Sequence, residues 1–514
     1  MERILWADDE IDLLKPHIMF LKTKGYEIET VSNGPDALDK LDEGNISLVL
    51  LDENMPGLSG LETLARINQS HPDVPVIMIT KSEEENIMNQ AIGNKITDYL
   101  IKPVNPMQIL LSIKKNLHSA KIIAEQTSSG YMHEFQKISA DINAASTLED
   151  WMNCYRQLVY WEMKLSDSES NMDEMLLMQK RDANSNFTKF VKRNYETWVT
   201  GKRTHLMSPD IFSKRIFPML DEGEKVCFIL IDNFRLDQWR IVQPILAETF
   251  NISEDLYTTI LPTSTQYARN AIFSGLMPLQ IKEMFPALWV EEDEDEGLNN
   301  HEEELIASML ERYRRKDRFT YTKLNDSQAC EKFLTKINSI KEFPLNVIVM
   351  NFIDMLSHAR TESKMIRELA NSNAAYRSLT ESWFRHSSAA EMFRRIAEMG
   401  YKVVLTTDHG TIRVDNPIKV IGDRNTNTNL RYKVGKNLNY NQKQVYEMKD
   451  PKRFGLPSPN ISSTFIFATN EDFFSYPNNY NYYVQYYTDT FQHGGISLEE
   501  MLVPLVTLTP KGNG

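Results

Sequence analysis

The sequence predicts an α/β protein in three parts, and three changes of pattern along the chain predict it. Up to about residue 117, short apolar runs alternate with segments of helical periodicity. From about 119 to 206 the strand signal disappears, and near Asp210 the alternation resumes. Strand–helix alternation requires a parallel sheet covered on both faces. The expected divisions are therefore 1–118, 119–206 and 207–514. At about 150 residues per domain, a chain of 514 suits three to four domains and can bury a core without disulfide or metal staples.

In the first part, the runs at 4–7, 48–51, 76–80 and 99–101 read as buried strands, with helical spacing between them, as at 35–41. In the second, Leu148, Trp151, Tyr155, Leu158 and Val159 recur at three and four, the stripe of an amphipathic helix. The polar stretches 127–130 and 166–170 read as helix breaks or connections within a helical spacer bundle. In the third part, the runs at 226–231, 347–350, 403–405 and 464–468 read as strands. The acidic run at 291–296 reads as a solvated loop, with a docking surface as the alternative, and the Asn/Tyr-rich stretch at 478–487 is too aromatic for disorder. There is no internal repeat.

Composition narrows the function. Lys and Arg number 57 against 71 Asp and Glu, a net −14, which argues against a general nucleic-acid coat and leaves only a local basic groove open. Cys154, Cys227 and Cys330 are far apart and form no CxxC, which excludes a thiolate zinc cluster and suits a reducing compartment. The first ten residues meet acids before any apolar stretch, so no secretory leader is expected. No apolar run approaches the roughly 20 residues of a membrane span, so the expectation is a cytoplasmic protein with no membrane insertion.

Three strand ends in the first domain carry polar residues that a buried sheet does not favour. Asp8 and Asp9 follow the first run, Asp52 follows 48–51, and Thr80 ends 76–80, while Lys102-Pro103 follows a fourth strand. The carboxyl ends of parallel strands form a ligand crevice, and carboxylates converging there repel one another unless a hard divalent cation such as Mg²⁺ joins them. A lysine at the same edge offers a point charge to a phosphoryl oxygen. With Asp52-Glu-Asn-Met-Pro-Gly57 and Gly60 behind them, these residues resemble the flavodoxin-like (βα)5 receiver domain of two-component response regulators. The resemblance implies Asp52 as phosphoacceptor, and Asp8, Asp9 and Asp52 as Mg²⁺ ligands joined by the carbonyl of Asn54. It further implies Thr80 bonding the phosphoryl group, Lys102 neutralising it, Tyr99 as a switch aromatic (or a plain core ring), and a cis bond before Pro103. Lys81 departs from the family, where many receivers place a small residue, and is expected to alter phosphoryl access and lifetime.

The third domain repeats the arrangement with histidines. The runs ending at Asp232, Asp354 and Asp408 each close on an aspartate; His409 follows the third, His358 lies four residues after Asp354, and His493 stands in Phe-Gln-His-Gly-Gly. Aspartates with imidazoles and no thiolate indicate a catalytic Zn²⁺ site, or less favourably Mn²⁺. Six such ligands exceed one tetrahedral ion and suffice for two ions that clamp a phosphoryl transfer. Thr263, Ser264 and Thr265 precede a helical pattern, where the helix dipole favours an anion, and a threonine hydroxyl there can serve as nucleophile. Singly, an aspartate after a strand is often a helix cap and a loop histidine is often merely hydrogen-bonded.

Together, the ligands and the Pro-Thr-x-Thr-x-x-Ala-Arg run at 262–269 resemble the alkaline phosphatase superfamily and its PglZ branch. That resemblance implies an α/β alkaline-phosphatase-like domain with one ion on Asp354, His358 and His493. The second would lie on Asp232, Thr265, Asp408 and His409. Thr265 is preferred over Thr263 as nucleophile because it lies ten residues before Gly275. Arg269 would contact the phosphate or brace the helix.

The full order of receiver, spacer and PglZ domain is similar to the PorX regulators of Bacteroidetes, which control type IX secretion. What this implies is a sensor histidine kinase as phosphodonor, an extracytoplasmic-function sigma factor as partner, contact with secretion components, and a phosphorylation-dependent homodimer. The expected output is a phosphodiesterase acting on nucleotide or oligonucleotide signals, with monoester or sulfate ester hydrolysis left open. Two rivals stand beside it. A DNA-binding regulator is opposed by the acidic charge and the lack of a compact basic recognition helix; a zinc-shaped docking module with little turnover would keep the ligands without needing the Thr265 hydroxyl.

Overall fold

The computed structural model describes residues 2–81, 92–93, 96–167, 172–201, 203–290, 299–370, 372–422, 426–458, 460 and 462–512. The acidic run at 291–296 and the stretch 168–170 lie outside the described residues. The chain divides into two compact units: one over Met1–Ser129, the other over Gly130–Asp167 and Asn171–Gly514.

The first unit holds a five-stranded parallel sheet of β1 (Arg3–Ala7), β2 (Glu27–Val31), β3 (Leu48–Leu51), β4 (Val76–Thr80) and β5 (Asp98–Ile101), in the order β2-β1-β3-β4-β5. The two-residue period divides the apolar run of each central strand between two cores. Ile4, Trp6, Leu48 and Leu50 pack on one face against Ile109, Leu110 and Ile113; Leu5, Ala7, Val49 and Leu51 pack on the other against Ala37, Leu41, Leu64 and Ile67. Burial on both faces is why β1, β3 and β4 read as continuous hydrophobic runs. The edge strand β2 is half exposed, and its sequence, Glu-Ile-Glu-Thr-Val, carries no such run.

A single helix spans Pro106–Ala144. No break occurs at 127–130, contrary to the polar signal there, because packing outweighs local propensity. A Cβ on Gly130 would lie 3.3 Å from the ring of Trp161, so glycine lets the two helices approach. One residue on, Tyr131 is fully buried and donates from its hydroxyl to Gln179 Oε1 at 3.0 Å. The helices Leu148–Asp167 and Asp173–Thr200 follow, and the predicted stripe is buried along its whole length.

These helices do not enclose a core of their own. Trp151, Tyr155, Phe187 and Tyr195 belong to one continuous hydrophobic cluster with Phe212, Phe228, Ile229 and Val404 of the C-terminal half. Polar contacts follow the same seam. The Tyr195 hydroxyl accepts from the Leu261 backbone N–H at 2.7 Å, and Lys180 bridges Glu162 and Glu499 at 2.7 and 3.1 Å.

The C-terminal half is built on a six-stranded mixed sheet. β6 (Val226–Ile231), β8 (Phe319–Leu324), β9 (Leu345–Met350) and β10 (Lys402–Thr406) run parallel, in the order β10-β6-β9-β8. Strand Leu502–Pro510 lies antiparallel between β10 and the edge strand β7 (Phe250–Thr258). The run at 464–468 forms a strand, Thr464–Phe467, outside this sheet: it is the middle of a separate antiparallel sheet with Tyr432–Gly435 and Tyr446–Met448. Every residue of β6 and β9 is buried, which sets their carboxyl ends, and that of β10 between β6 and the last strand, at the centre of the molecule's polar site.

Trp151→Ala removes a ring buried against Phe187 from a core shared with the six-stranded sheet. The expected cost is about 3–5 kcal/mol. Near-ultraviolet circular dichroism on heating should then show the C-terminal half and the helices melting together at a lower temperature; loss of helix alone, with the signal of the C-terminal half unmoved, would contradict the shared core.

Candidate functional site

In the first unit, β1 ends at Ala7, and the next residue, Asp8, is fully buried, whereas Asp9 is exposed. Asp52 follows β3 and is buried to 3 % exposure, and the carboxylate oxygens of Asp8, Asp9 and Asp52 all lie within 4.8 Å of one another. Lys102, following β5 across the cis bond to Pro103, places Nζ 2.6 Å from Asp8 Oδ2 and 3.2 Å from Asp52 Oδ2. Even so, burial pushes the Asp52 carboxyl above its ordinary pKa and the neighbouring Asp8 adds to it, while Lys102 opposes both. Asp52 Oδ1 is buried without a protein partner. A carboxylate oxygen left in this state fits a bound cation.

Gly60 starts the helix Gly60–Ser70 against this loop: a Cβ there would stand 2.3 Å from the Asp52 carbonyl oxygen, so glycine allows the close approach. Asn54 is exposed in the turn after Asp52, Thr80 is fully buried at the end of β4, and Tyr99 is half buried in β5 against the Ala37–Leu64 core. Lys81 turns away to pair with Glu10 at 2.5 Å, both side chains well exposed.

In the second unit, the three aspartates lie where their strands end. Asp232 follows β6, Asp408 lies two residues after β10, and Asp354 stands in the first turn of the helix Phe352–Glu362, four residues after β9. Ligand-type atoms of Asp232, Asp408 and His409 lie within 4.8 Å of one another, and so do those of Asp354, His358 and His493. The two clusters adjoin. His409 and His493 stack with ring centroids 4.1 Å apart, and Asn233 Nδ2 donates to Asp354 Oδ1 at 3.2 Å. Asn233 adopts φ +62°, a left-handed conformation that asparagine tolerates, directly after Asp232.

One ring nitrogen of each stacked histidine is engaged behind the site. His409 Nδ1 is 3.2 Å from the Gly410 carbonyl and His493 Nδ1 is 3.1 Å from the Thr263 carbonyl. Both contacts leave Nε2 as the ligand atom, the arrangement typical of metal-binding histidines. Burial, reinforced by the charge of His409, lowers the His493 pKa to about 3, which keeps that imidazole neutral. His358 Nε2 lies 3.4 Å from Asp354 Oδ2.

The carboxylates divide electrostatically. Burial pushes Asp232 well above its ordinary pKa despite the adjoining Arg269, and its Oδ1 is buried with no protein partner. Burial also works against ionised Asp354, but the hydrogen bond and charge of His358 outweigh it and hold the group low. Asp408 is likewise held low, by Arg269 and His409 against burial. The donor set is nitrogen and oxygen with an orphaned carboxylate oxygen, and these residues fit a divalent transition ion.

Arg269 is 1 % exposed and faces these carboxylates from the protein side. Its guanidinium pairs with Asp232, with Asp408 Oδ2 at 2.9 Å and with Glu302 Oε1 at 3.3 Å. Geometrically it braces the site. Thr265, the first residue of the helix Thr265–Ser274, is half buried in a stretch otherwise buried from Ile260 to Ser274, and its Oγ1 lies 3.1 Å from His409 Nε2. Gly275 ends that helix at φ +64°.

Thr265, His358 and His493 line a cavity of about 470 Å³ together with Asn427, Asn429 and Tyr486. Sequence reading missed three contributors. Asn233 was readable from its place beside Asp232. Glu302, fully buried against Arg269 and Lys323, lies in an acid-rich stretch that offers no signal. The amides at 427–429 come from a loop whose proximity only the fold creates.

Three family models match successive stretches of the chain. Residues 4–114 match the response regulator receiver domain, 121–199 the PorX response regulator linker domain, and 211–508 the BREX system PglZ alkaline phosphatase-like domain. The transcriptional regulatory protein SrrA of Staphylococcus aureus is 28 % identical over 150 residues, 29 % of this chain and 62 % of that protein. The chain thus spans less than two thirds of the length of the curated relatives it matches. Among solved structures, a CheY-like receiver domain protein from Methanospirillum hungatei is 28 % identical, covering 23 % of this chain and 95 % of that one, with a TM-score of 0.23. The response regulator TrrA of Thermotoga maritima is 35 % identical, covering 23 % and 100 %, with a TM-score of 0.22. No helix among the described residues is long and apolar enough to cross a membrane.

Because the Asp52 carboxyl is raised in the folded state, ionising it costs stability as pH rises from the unfolded value through the folded one, and the cost persists at pH 7. Asp52→Asn is therefore expected to stabilise the first unit at pH 7 in chelator, with the gain vanishing near pH 3. Urea unfolding at the two pH values checks the sign.

Proposed function

The chain belongs to the family of PglZ alkaline phosphatase-like domains, carried here behind a response regulator receiver and a PorX linker domain, and on that premise we propose a phosphorylation-controlled, metal-dependent phosphodiesterase acting on oligonucleotide-like diesters. The observation that supports it is the cavity beside Thr265, His358 and His493. At about 470 Å³ it has room for both substituents of a diester, and its amides and tyrosine rings suit base edges and faces.

Asp354, His358 and His493 would hold one ion, and Asp232, Asp408 and His409, with Thr265, the other. Two zinc ions, when bound, would supply the Lewis acidity that lowers the pKa of a hydroxyl and screens phosphoryl charge. The chain's own part is positional. The Thr265 helix presents Oγ at its positive end, where a phosphoryl anion is favoured. Oγ attacks phosphorus, forming a threonine–phosphorus ester as one ester P–O bond breaks and the leaving alcohol takes up a proton. Water then cleaves the phosphothreonine and returns the Oγ proton. Arg269 and Asn233 hold the carboxylates in register throughout.

In the receiver, Asp52 would accept a phosphoryl group from a sensor histidine kinase, with Mg²⁺ on Asp8, Asp9 and Asp52 and the Asn54 carbonyl. Lys102 would neutralise the added charge, and Thr80 and Tyr99 would shift the population toward a dimer. A sigma factor and type IX secretion components are the downstream partners that fit the PorX-type architecture.

Hydrolysis of bis-p-nitrophenyl phosphate by zinc-loaded protein tests the reading. Thr265→Ala is expected to lower kcat by about 10³-fold or more with zinc content unchanged. Beryllofluoride should raise the sedimentation coefficient and the rate of the wild type but not of Asp52→Asn. Retained turnover in Thr265→Ala would remove the covalent mechanism, and zinc binding without turnover in the wild type would favour the docking alternative.

A further inference from the structure

The asparagine- and tyrosine-rich stretch forms the helix Tyr480–Tyr487, and none of the helix's residues is buried. Core packing therefore accounts for few of its rings. Tyr487 packs in part against Ile412, Val414 and Phe473, whereas Tyr482 and Tyr483 are 63 % and 40 % exposed. Residues four apart are neighbours on a helix surface, and here they pair ring on ring. Tyr482 stacks with Tyr486 and Tyr483 with Tyr487, their centroids 6.1 and 6.2 Å apart and their planes 17° and 12° from parallel.

Tyr486 and Tyr487 also line the cavity that holds Thr265, His358 and His493. Each stacked pair thus joins an exposed ring to one in the cavity wall. The chain then runs from Tyr487 through strand Phe491–Gln492 into His493, so the aromatic track and the ligand loop are one continuous segment.

Charge singles out the same place. The protein carries a net −14, yet residues 476–488 include no charged side chain. Among the described residues, no Asp, Glu, Lys or Arg lines the cavity. Two cations stand against the track: the Arg367 guanidinium lies 5.3 Å from the Tyr486 ring centroid, and Lys419 Nζ lies 4.9 Å from that of Tyr480. Rings flanked by cations and free of carboxylates do not repel a phosphate backbone, and every nucleobase has a face that can stack on them.

We propose that this track binds single-stranded nucleic acid and leads it into the cavity, with one base on each of Tyr482 and Tyr483 outside the cavity mouth. The proposal rests on the diesterase reading of the cavity and narrows its substrate to a strand held by base stacking, without readout of sequence or of terminal phosphates.

Fluorescence anisotropy with full-length, zinc-loaded Thr265→Ala protein tests it, using fluorescein-labelled octathymidylate and an abasic octamer with the same number of phosphates. Octathymidylate is expected to bind at least tenfold more tightly than the abasic strand. Adding Tyr482→Ala and Tyr483→Ala together should weaken octathymidylate at least tenfold and leave the abasic strand unchanged. Tryptophan at both positions should restore the affinity. Equal binding of the two strands, or affinity for octathymidylate unmoved by the double alanine variant, would overturn the track. Because the readout is binding, the two readings fail separately. Base-dependent affinity with no hydrolysis of bis-p-nitrophenyl phosphate by the wild type would sink the diesterase and keep the track, and hydrolysis without base-dependent affinity would do the reverse.

Discussion

Carboxylates gathered at the ends of buried strands repel one another, and both folded units are organised around offsetting that repulsion. In the receiver one lysine answers it: Lys102 reaches Asp8 and Asp52 together from the end of β5. In the PglZ-like half the demand is larger, and Arg269 meets it with a guanidinium that pairs with Asp232, Asp408 and Glu302. Neither cation fully compensates, since each site keeps a buried carboxylate oxygen without a protein partner, on Asp52 and on Asp232. That residual deficit is what makes each a place for a divalent ion rather than a closed salt bridge.

The linker helices carry the same electrostatic logic into the scaffold of the PglZ-like half. Lys180 is buried between Glu162 and Glu499, and Arg377 reaches Glu162 and Asp237. Glu499 adjoins Glu500, whose carboxylate accepts from the Gly495 N–H and whose carbonyl accepts from the Gly410 N–H. The linker thus grips, through two neighbouring glutamates, the loops that carry His409 and His493. Tyr195 does the same for the Leu261 backbone ahead of the Thr265 helix.

Much of this was legible in the sequence for a specific reason. Strands buried on both faces read as unbroken apolar runs, so an acid or histidine at their ends stands out; Asp8, Asp52, Asp232 and Asp408 were all readable in this way. Where burial is one-sided the signal fades: β2, β7 and β8 alternate or carry charge and passed unnoticed. The helix through 127–130 was misread because Gly130 looks like a breaker, whereas it is a contact point for Trp161.

The position of strand Leu502–Pro510 has a consequence for how the molecule is made. It lies inside the six-stranded sheet, between β7 and β10, rather than at an edge. Until it arrives, both neighbours present open hydrogen-bonding edges, and the partners it must find, Phe250–Thr258 among them, are some 250 residues upstream in the register. Such long-range pairing slows folding and leaves exposed β edges prone to intermolecular pairing. A nascent chain halted before this strand would hold Asp232, Asp408 and His493 without the sheet that aligns them, so assembly of the ligand set waits on the completion of the sheet.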